Sequence, residues 1–217
     1  MPRDLLNLIL LDIVMNNIVR EKNINLSRNF IGSWLINSNN LCKNIINFFD
    51  TNNMLHKQGV IAGGENKNIK QRIDLTIKPN DIKKNPKYYL FNELIEKLYF
   101  CYKDYLEQWP ILKSVANKVD IGAFHIGKYS SGDHYNTEHC ERMSLSSINR
   151  LFAFMLYLNE DHKGGKTIFT NYNLKIKPKK NKLLIWPAEW THSHYAEKVL
   201  AGNKYIITGW IQFPYEY

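Results

Sequence analysis

The sequence predicts an α+β fold, with helices in the first half bracing a sandwich or barrel of short strands in the second. Three observations predict it. Apolar residues recur at helical intervals in stretches before residue 110. From Gly122 onward the pattern changes to short runs of β-branched and aromatic residues separated by turn residues. No internal repeat or low-complexity segment stands out in the 217 residues, a length that suits one domain, or one domain with an N-terminal extension.

Taken in order, Asp4 to about Glu21 carries Leu5, Leu8, Ile9, Val14 and Ile18 at near-helical spacing and reads as an amphipathic helix. Asn23 to Asn29 is polar and connects it to a strand over Phe30–Ile36. Residues 1–29 thus form a helical extension to a unit over 30–217. Ser38-Asn-Asn offers an N-cap for a helix covering Leu41, Ile45, Ile46 and Phe49. Thr51 to Asn68, with Gly59, Gly63 and Gly64, reads as a loop. Arg72–Ile77 alternates as a strand, Pro79 to Pro86 is a turn-rich link, and Tyr88 to about Trp109 is a long amphipathic helix whose aromatic residues belong to the core. The strands of the second half are expected at Ala123–Tyr129, Leu151–Leu158, Lys166–Phe169, Leu174–Ile176, Lys182–Trp186, Thr191–Tyr195 and Lys204–Phe213.

Composition excludes several classes. No apolar run reaches the length of a membrane span. The apolar run near the start is bounded by Asp4 and Asp12 and lacks a small-residue cleavage site, which argues against a signal peptide. Three cysteines, Cys42, Cys101 and Cys140, have no paired spacing and point to a reducing compartment, the cytoplasm. The net charge of +9 attracts anions in general, but its basic residues do not gather into a recognition helix, so nucleic acid is not the expected partner. The run Lys175–Lys182 reads as a solvated turn between strands.

One constellation carries chemistry. In a strand, His139 and Glu141 project from one face and can converge on one point. A third donor from a distant strand completes a two-histidine, one-carboxylate set, for which His192 and His194 both qualify. Such a set leaves coordination positions open, as a ferrous oxygenase requires.

The surrounding motifs narrow this. Tyr129-Ser-Ser-Gly132 and Tyr135 precede His139. Phe152-Ala-Phe-Met-Leu-Tyr157-Leu-Asn159, Gly164-Gly-Lys-Thr-Ile-Phe169, Lys177-Pro178, Ile185-Trp-Pro187, His194 and Gly202-Asn-Lys204-Tyr-Ile-Ile-Thr-Gly-Trp210 follow. In order and spacing the chain resembles the iron(II)- and 2-oxoglutarate-dependent dioxygenases of the prolyl 4-hydroxylase-like branch, above all members encoded by phages and other viruses. The resemblance is strong over roughly the last ninety residues and weak from about Phe30.

The resemblance implies a double-stranded β-helix (jelly-roll) core over about 120–217. It implies Fe(II) held by His139, Glu141 and His194, because a glycine and a basic residue follow the distal histidine of that family by eight and ten positions, as Gly202 and Lys204 follow His194. Most relatives use Asp where this chain has Glu141. Lys204 is expected to pair with the remote carboxylate of the cosubstrate 2-oxoglutarate, Tyr157 to hydrogen-bond it and Tyr129 to line its pocket. His192 falls beside the site, and Arg150, Trp186, Pro187 and Trp210 support the fold. Cys140 faces away from the ligands. The implied reaction decarboxylates 2-oxoglutarate to succinate and hydroxylates a C–H bond, with ascorbate as reductant. The expected substrate is a peptidyl proline or other protein side chain, in host cytoplasm for a viral protein. Alternatives are a free amino acid or small molecule, a nucleic-acid-directed enzyme, or a non-catalytic metal-binding β-helix protein.

Overall fold

The chain begins its described course on a strand, β1 (Ile18–Arg20), paired antiparallel with β2 (Gly32–Ile36). The computed structural model describes residues 17–38, 40–61 and 64–214. The expected N-terminal helix lies largely outside these residues. Its last turn is instead β1, whose Ile18 and Val19 are β-branched and whose backbone groups find partners on β2. A single helical turn at Ile24–Ser27, capped by the Asn23 side chain, joins the two strands.

Helix α1 (Leu41–Thr51) follows, with Ser38 Oγ accepting from the Leu41 N–H at 3.3 Å. The next segment forms two short strands, β3 (Lys57–Gln58) and β4 (Lys70–Gln71), before β5 (Ile73–Ile77). The expected turn-rich link is a helix, α2 (Pro79–Lys84). Pro79 pre-sets its first turn, Asp81 complements the N-terminus, and Lys83 and Lys84 complement the C-terminus. Helix α3 (Phe91–Gln108) buries Phe91, Leu94, Leu98, Cys101 and Tyr105 along one stripe, the period expected. Truncating such a residue, as in Leu98→Ala, costs about 2–5 kcal/mol.

The strands that follow are β6 (Asp120–Ile121), β7 (Phe124–Tyr129), β8 (His134–His139), β9 (Arg150–Tyr157), β10 (Lys163–Gly164), β11 (Thr167–Phe169), β12 (Leu174–Ile176), β13 (Lys182–Pro187), β14 (His194–Ala196), β15 (Val199–Ala201) and β16 (Lys204–Gln212). The larger sheet runs β1-β2-β13-β9-β16-β7-β5-β3, with β6 also on β16. The smaller runs β12-β11-β14-β8-β4, and β10 pairs β15. The two sheets form the jelly-roll core.

The central strands of the larger sheet are apolar on both faces because both faces are covered. In β9, Phe152, Phe154 and Leu156 pack toward α1 and α3, while Ala153, Met155 and Tyr157 belong to a second cluster between the sheets. In β13, Leu183 and Ile185 face the helices and Leu184 and Trp186 face inward. The site occupies this inner layer.

Candidate metal centre and cosubstrate pocket

His139 on β8 is the register partner of His194 on β14, and their ring centroids are 4.5 Å apart. Glu141 lies beyond the end of β8, in a bend whose N–H donates to the Ala188 carbonyl at 3.1 Å. Strand alternation therefore does not aim its side chain; the turn docked on the exit of β13 does. The carboxylate still reaches the same point, with Oε1 3.5 Å from His194 Nε2. One donor atom from each of His139, Glu141 and His194 lies within 4.8 Å of the others.

Both imidazoles are oriented alike. Nδ1 of His139 donates to the Thr137 carbonyl at 2.9 Å, and Nδ1 of His194 to the His192 carbonyl at 3.0 Å. A carbonyl only accepts, so each Nε2 keeps its lone pair for a metal. Burial pushes the His139 imidazole down to about 4, leaving it neutral at pH 7, the form that ligates. Burial opposes ionisation of Glu141, yet its contacts with His194, His139 and Trp210 outweigh that and hold the carboxyl well below the usual range.

Trp210 Nε1 donates to Glu141 Oε2 at 2.7 Å. The Arg150 guanidinium stacks on the Trp210 ring at 3.6 Å and donates to the Glu141 carbonyl at 2.8 Å. These two residues, expected to support the fold, hold the carboxylate. His192 is turned elsewhere. It ends a 3-10 turn (Trp190–His192) that interrupts the expected strand over 191–195, and its Nε2 donates to the Asn29 carbonyl at 2.8 Å while Thr191 bonds its Nδ1 at 3.0 Å. Cys140 is outside the converging donors, its thiol on the Arg142 carbonyl at 3.7 Å.

A cavity of about 400 Å³ joins these donors to Lys204. Lys204 is 1% exposed, and its Nζ donates to the Gly165 carbonyl at 2.7 Å and lies over the rings of Tyr129 and Tyr157. Burial lowers its ammonium to about 7. Among the described residues no carboxylate forms an ion pair with it, so two N–H donors remain to meet an anion in the cavity. Tyr129 is the register partner of Lys204 and lines the cavity. Tyr157 is fully buried, and its hydroxyl bonds Thr167 Oγ1 at 2.7 Å, so it reaches the cavity wall through Thr167.

The sequence reading missed Thr167 and a buried charged cluster on β4 and β5. Arg72 Nη1 donates to the Tyr129 hydroxyl at 2.9 Å, Arg72 Nε lies 2.7 Å from Asp74, and Lys70 Nζ lies 3.5 Å from Asp74. No local pattern marks this cluster, since it depends on β5 lying beside β7. One signal was Gly127, where a Cβ would press on Asp74 and Arg72 at 3.1–3.2 Å. His125 also lines the cavity, with burial lowering it to about 4.

The donor set fits Fe(II), with two imidazole nitrogens and one carboxylate leaving positions open. The buried, uncompensated Lys204 fits the far end of a dicarboxylate. Comparison with known proteins agrees. The family described as the 2OG-Fe(II) oxygenase superfamily matches residues 124–212. A PKHD-type hydroxylase of Prochlorococcus marinus (strain NATL2A) is 30% identical over 107 residues, 48% of this chain and 47% of that protein. The Caenorhabditis elegans prolyl 4-hydroxylase subunit alpha-1 is 30% identical over 101 residues, 40% of this chain and 18% of that one. The chain thus spans about half, or less, of the length of these relatives. Among solved structures, the viral collagen prolyl hydroxylase of Paramecium bursaria Chlorella virus-1, as its 2OG complex, superposes with a TM-score of 0.63 at 18% identity, covering 87% of this chain and 99% of that one. A Trichoplax adhaerens prolyl hydroxylase bound to a hypoxia-inducible-factor peptide gives 0.66 at 17%, covering 93% and 88%. Residues 124–212 thus match the 2OG-Fe(II) oxygenase superfamily, whose cofactors are Fe(II) and 2-oxoglutarate, and the chain is similar to proteins named as prolyl hydroxylases.

Proposed function

We propose that this protein is an Fe(II)- and 2-oxoglutarate-dependent dioxygenase that hydroxylates a peptidyl proline or another protein side chain. The observation that carries this reading is one cavity holding both the His139–Glu141–His194 donor set and the buried, uncompensated ammonium of Lys204. A protein that merely stores a metal has no use for that ammonium. We take residues 30–217 as the oxygenase unit, extended N-terminally by a segment that adds β1 to the larger sheet.

Iron, 2-oxoglutarate and dioxygen together supply the oxidising chemistry that puts oxygen into a C–H bond. The chain supplies the rest. His139, Glu141 and His194 would hold the metal with one donor each, a set that leaves coordination positions for other ligands. Lys204 anchors the remote carboxylate, Tyr129 and Thr167 wall its chain, and Trp210 with Arg150 keeps Glu141 aimed. The aromatic and apolar walls of Tyr129, Met155 and Trp186 keep bulk water away.

A peptide is favoured over a free amino acid by the mouth, where Val60 and Met143 line the cavity yet stay 55% and 65% exposed, and Leu145, between the lining residues Ser144 and Ser146, is 88% exposed. Such an apolar rim fits an extended chain passing the metal. The relatives named as prolyl hydroxylases support proline as the target. Three free cysteines, two of them buried, support a reducing, cytoplasmic setting, and the likeness to a chlorella-virus enzyme supports a viral origin. No described helix is long and apolar enough to cross a membrane.

The test is a proline-containing peptide library incubated with Fe(II), 2-oxoglutarate and ascorbate. Succinate formed in step with peptides gaining one oxygen atom is the expected result. Succinate release stimulated by small amines or amino acids, with no peptide modified, would move the substrate class to small molecules.

A further inference from the structure

Lys70 and Tyr135 are register partners on β4 and β8. The Tyr135 ring stacks on the His139 imidazole with centroids 3.8 Å apart and planes 12° from parallel. The Lys70 Nζ lies 5.3 Å from the centre of the Tyr135 ring. The same ammonium donates to the Val60 carbonyl at 2.9 Å and lies 3.5 Å from the Asp74 carboxylate. Lys70 is 8% exposed, so its three contacts are not a surface accident.

We propose that Tyr135 and Lys70 are positioning residues for the metal ligand His139, and that they tie the cavity-mouth loop carrying Val60 and Ile61 to that ligand. The argument is geometric. The hydrogen bond from His139 Nδ1 to Thr137 fixes the tautomer but leaves the ring free to tilt about that bond. A parallel ring at 3.8 Å removes the tilt, because a rotated imidazole would collide with Tyr135 on one face. Tyr135 in turn is four residues before His139 on the same strand face, so its own ring needs a support. The Lys70 ammonium supplies one by cation–π attraction. That ammonium is fixed by Asp74 below and Val60 above. A shift of the mouth loop therefore moves Lys70, relaxes Tyr135 and loosens His139. By thermodynamic reciprocity, metal at His139 must steady the loop by the same coupling free energy.

This rests on His139 being a metal ligand, and the experiment keeps the two claims apart. Mn(II) affinity, read by electron paramagnetic resonance on the full chain, is measured for the wild type, His139→Ala, Tyr135→Leu, Tyr135→Phe, Lys70→Met and Lys70→Arg. If the wild type binds no Mn(II), or binds it as well without His139, the metal-site reading fails. Given a working site, Tyr135→Leu is expected to weaken Mn(II) about tenfold or more, in the range for outer-shell partners of metal ligands. Lys70→Met should weaken it several-fold, whereas Tyr135→Phe and Lys70→Arg stay near wild type, because stacking and charge are kept. Hydrogen exchange adds a readout that general destabilisation does not mimic. Mn(II) should slow exchange at the Gly59 and Ile61 amides, which donate to Arg72 and Gly64, in the wild type but not in Lys70→Met. Wild-type Mn(II) affinity in both Tyr135→Leu and Lys70→Met would overturn the proposal. So would equal protection of those amides by metal in wild type and Lys70→Met.

Discussion

Trp210 and Glu141 are joined by a 2.7 Å hydrogen bond from the indole Nε1 to Oε2, across 69 positions of sequence. That bond occupies one carboxylate oxygen and leaves Oε1 toward His194. Trp210→Phe keeps the ring under Arg150 and removes the donor. The expected result is a fall of about tenfold in Mn(II) affinity, the usual cost of losing an outer-shell partner. Unchanged affinity would mean that Arg150 and the Ala188 turn aim Glu141 unaided.

The ligand triad separates from its neighbour His192. Alanine at His139, Glu141 or His194 should abolish metal-dependent decarboxylation of 2-oxoglutarate. His192→Ala should keep the metal, since the group that orients His194 is the His192 backbone carbonyl, which alanine retains. It should cost stability, about 1–3 kcal/mol at most, by removing the partner of the half-buried Asn29 carbonyl. Metal content and thermal melting read the two effects separately. Loss of metal in His192→Ala with retention in His194→Ala would reverse the assignment.

Lys204→Met removes a charge that is buried without a carboxylate partner among the described residues. Losing one member of a buried charge pair costs about 3–5 kcal/mol, so 2-oxoglutarate affinity should fall roughly two to three orders of magnitude. Metal affinity should hardly change. Without cosubstrate the variant should melt higher than wild type, because a desolvated charge has gone. Anaerobic titration of the metal-loaded protein checks the first effect and thermal melting the second. Wild-type cosubstrate affinity would remove Lys204 from the site.

The same lysine predicts a pH dependence. Burial brings it to about 7 in the free protein, and a bound carboxylate raises it again. Above that value, binding must take up a proton. Affinity for 2-oxoglutarate is therefore full below about pH 7 and falls up to tenfold per pH unit as pH rises, until the bound-state value is reached. In the free protein the lysine lies below its ordinary value, so the unfolded chain holds more protons above about pH 7 and stability rises with pH there. Calorimetric titration in buffers of different ionisation enthalpy measures the proton uptake. An affinity flat from about pH 6 to 9 would contradict it.

Much of the site was legible because its spacing is short or fixed by β-structure. The His139–Glu141 pair is two positions apart, and the ten-residue step from His194 to Lys204 runs from β14 through β15 to β16. Short β-branched and aromatic runs bounded by turn residues likewise located β9, β13 and β16 to within a residue or two. What stayed hidden depends on distant register. Arg72 reaches Tyr129 because β5 pairs with β7, and Thr167 meets Tyr157 because two sheets stack, neither of which local patterning encodes. The helix at Pro79–Lys84 was hidden for a different reason: proline at a first helical turn and proline in a loop look alike in sequence. The carboxylate of Glu141 arrived where expected by another route, a turn in place of a strand.

The converging donors and the buried lysine stand on different layers of the sandwich. The histidines stand on β8 and β14 of the smaller sheet, whereas Lys204 stands on β16 of the larger. Packed sheets keep a separation of about 10 Å whatever their side chains. The gap between layers would thus act as a ruler for the oxo-acid, and four- and six-carbon homologues should bind more weakly than 2-oxoglutarate. A filled site would also be a cross-brace between the sheets, so bound cosubstrate should stabilise both layers together.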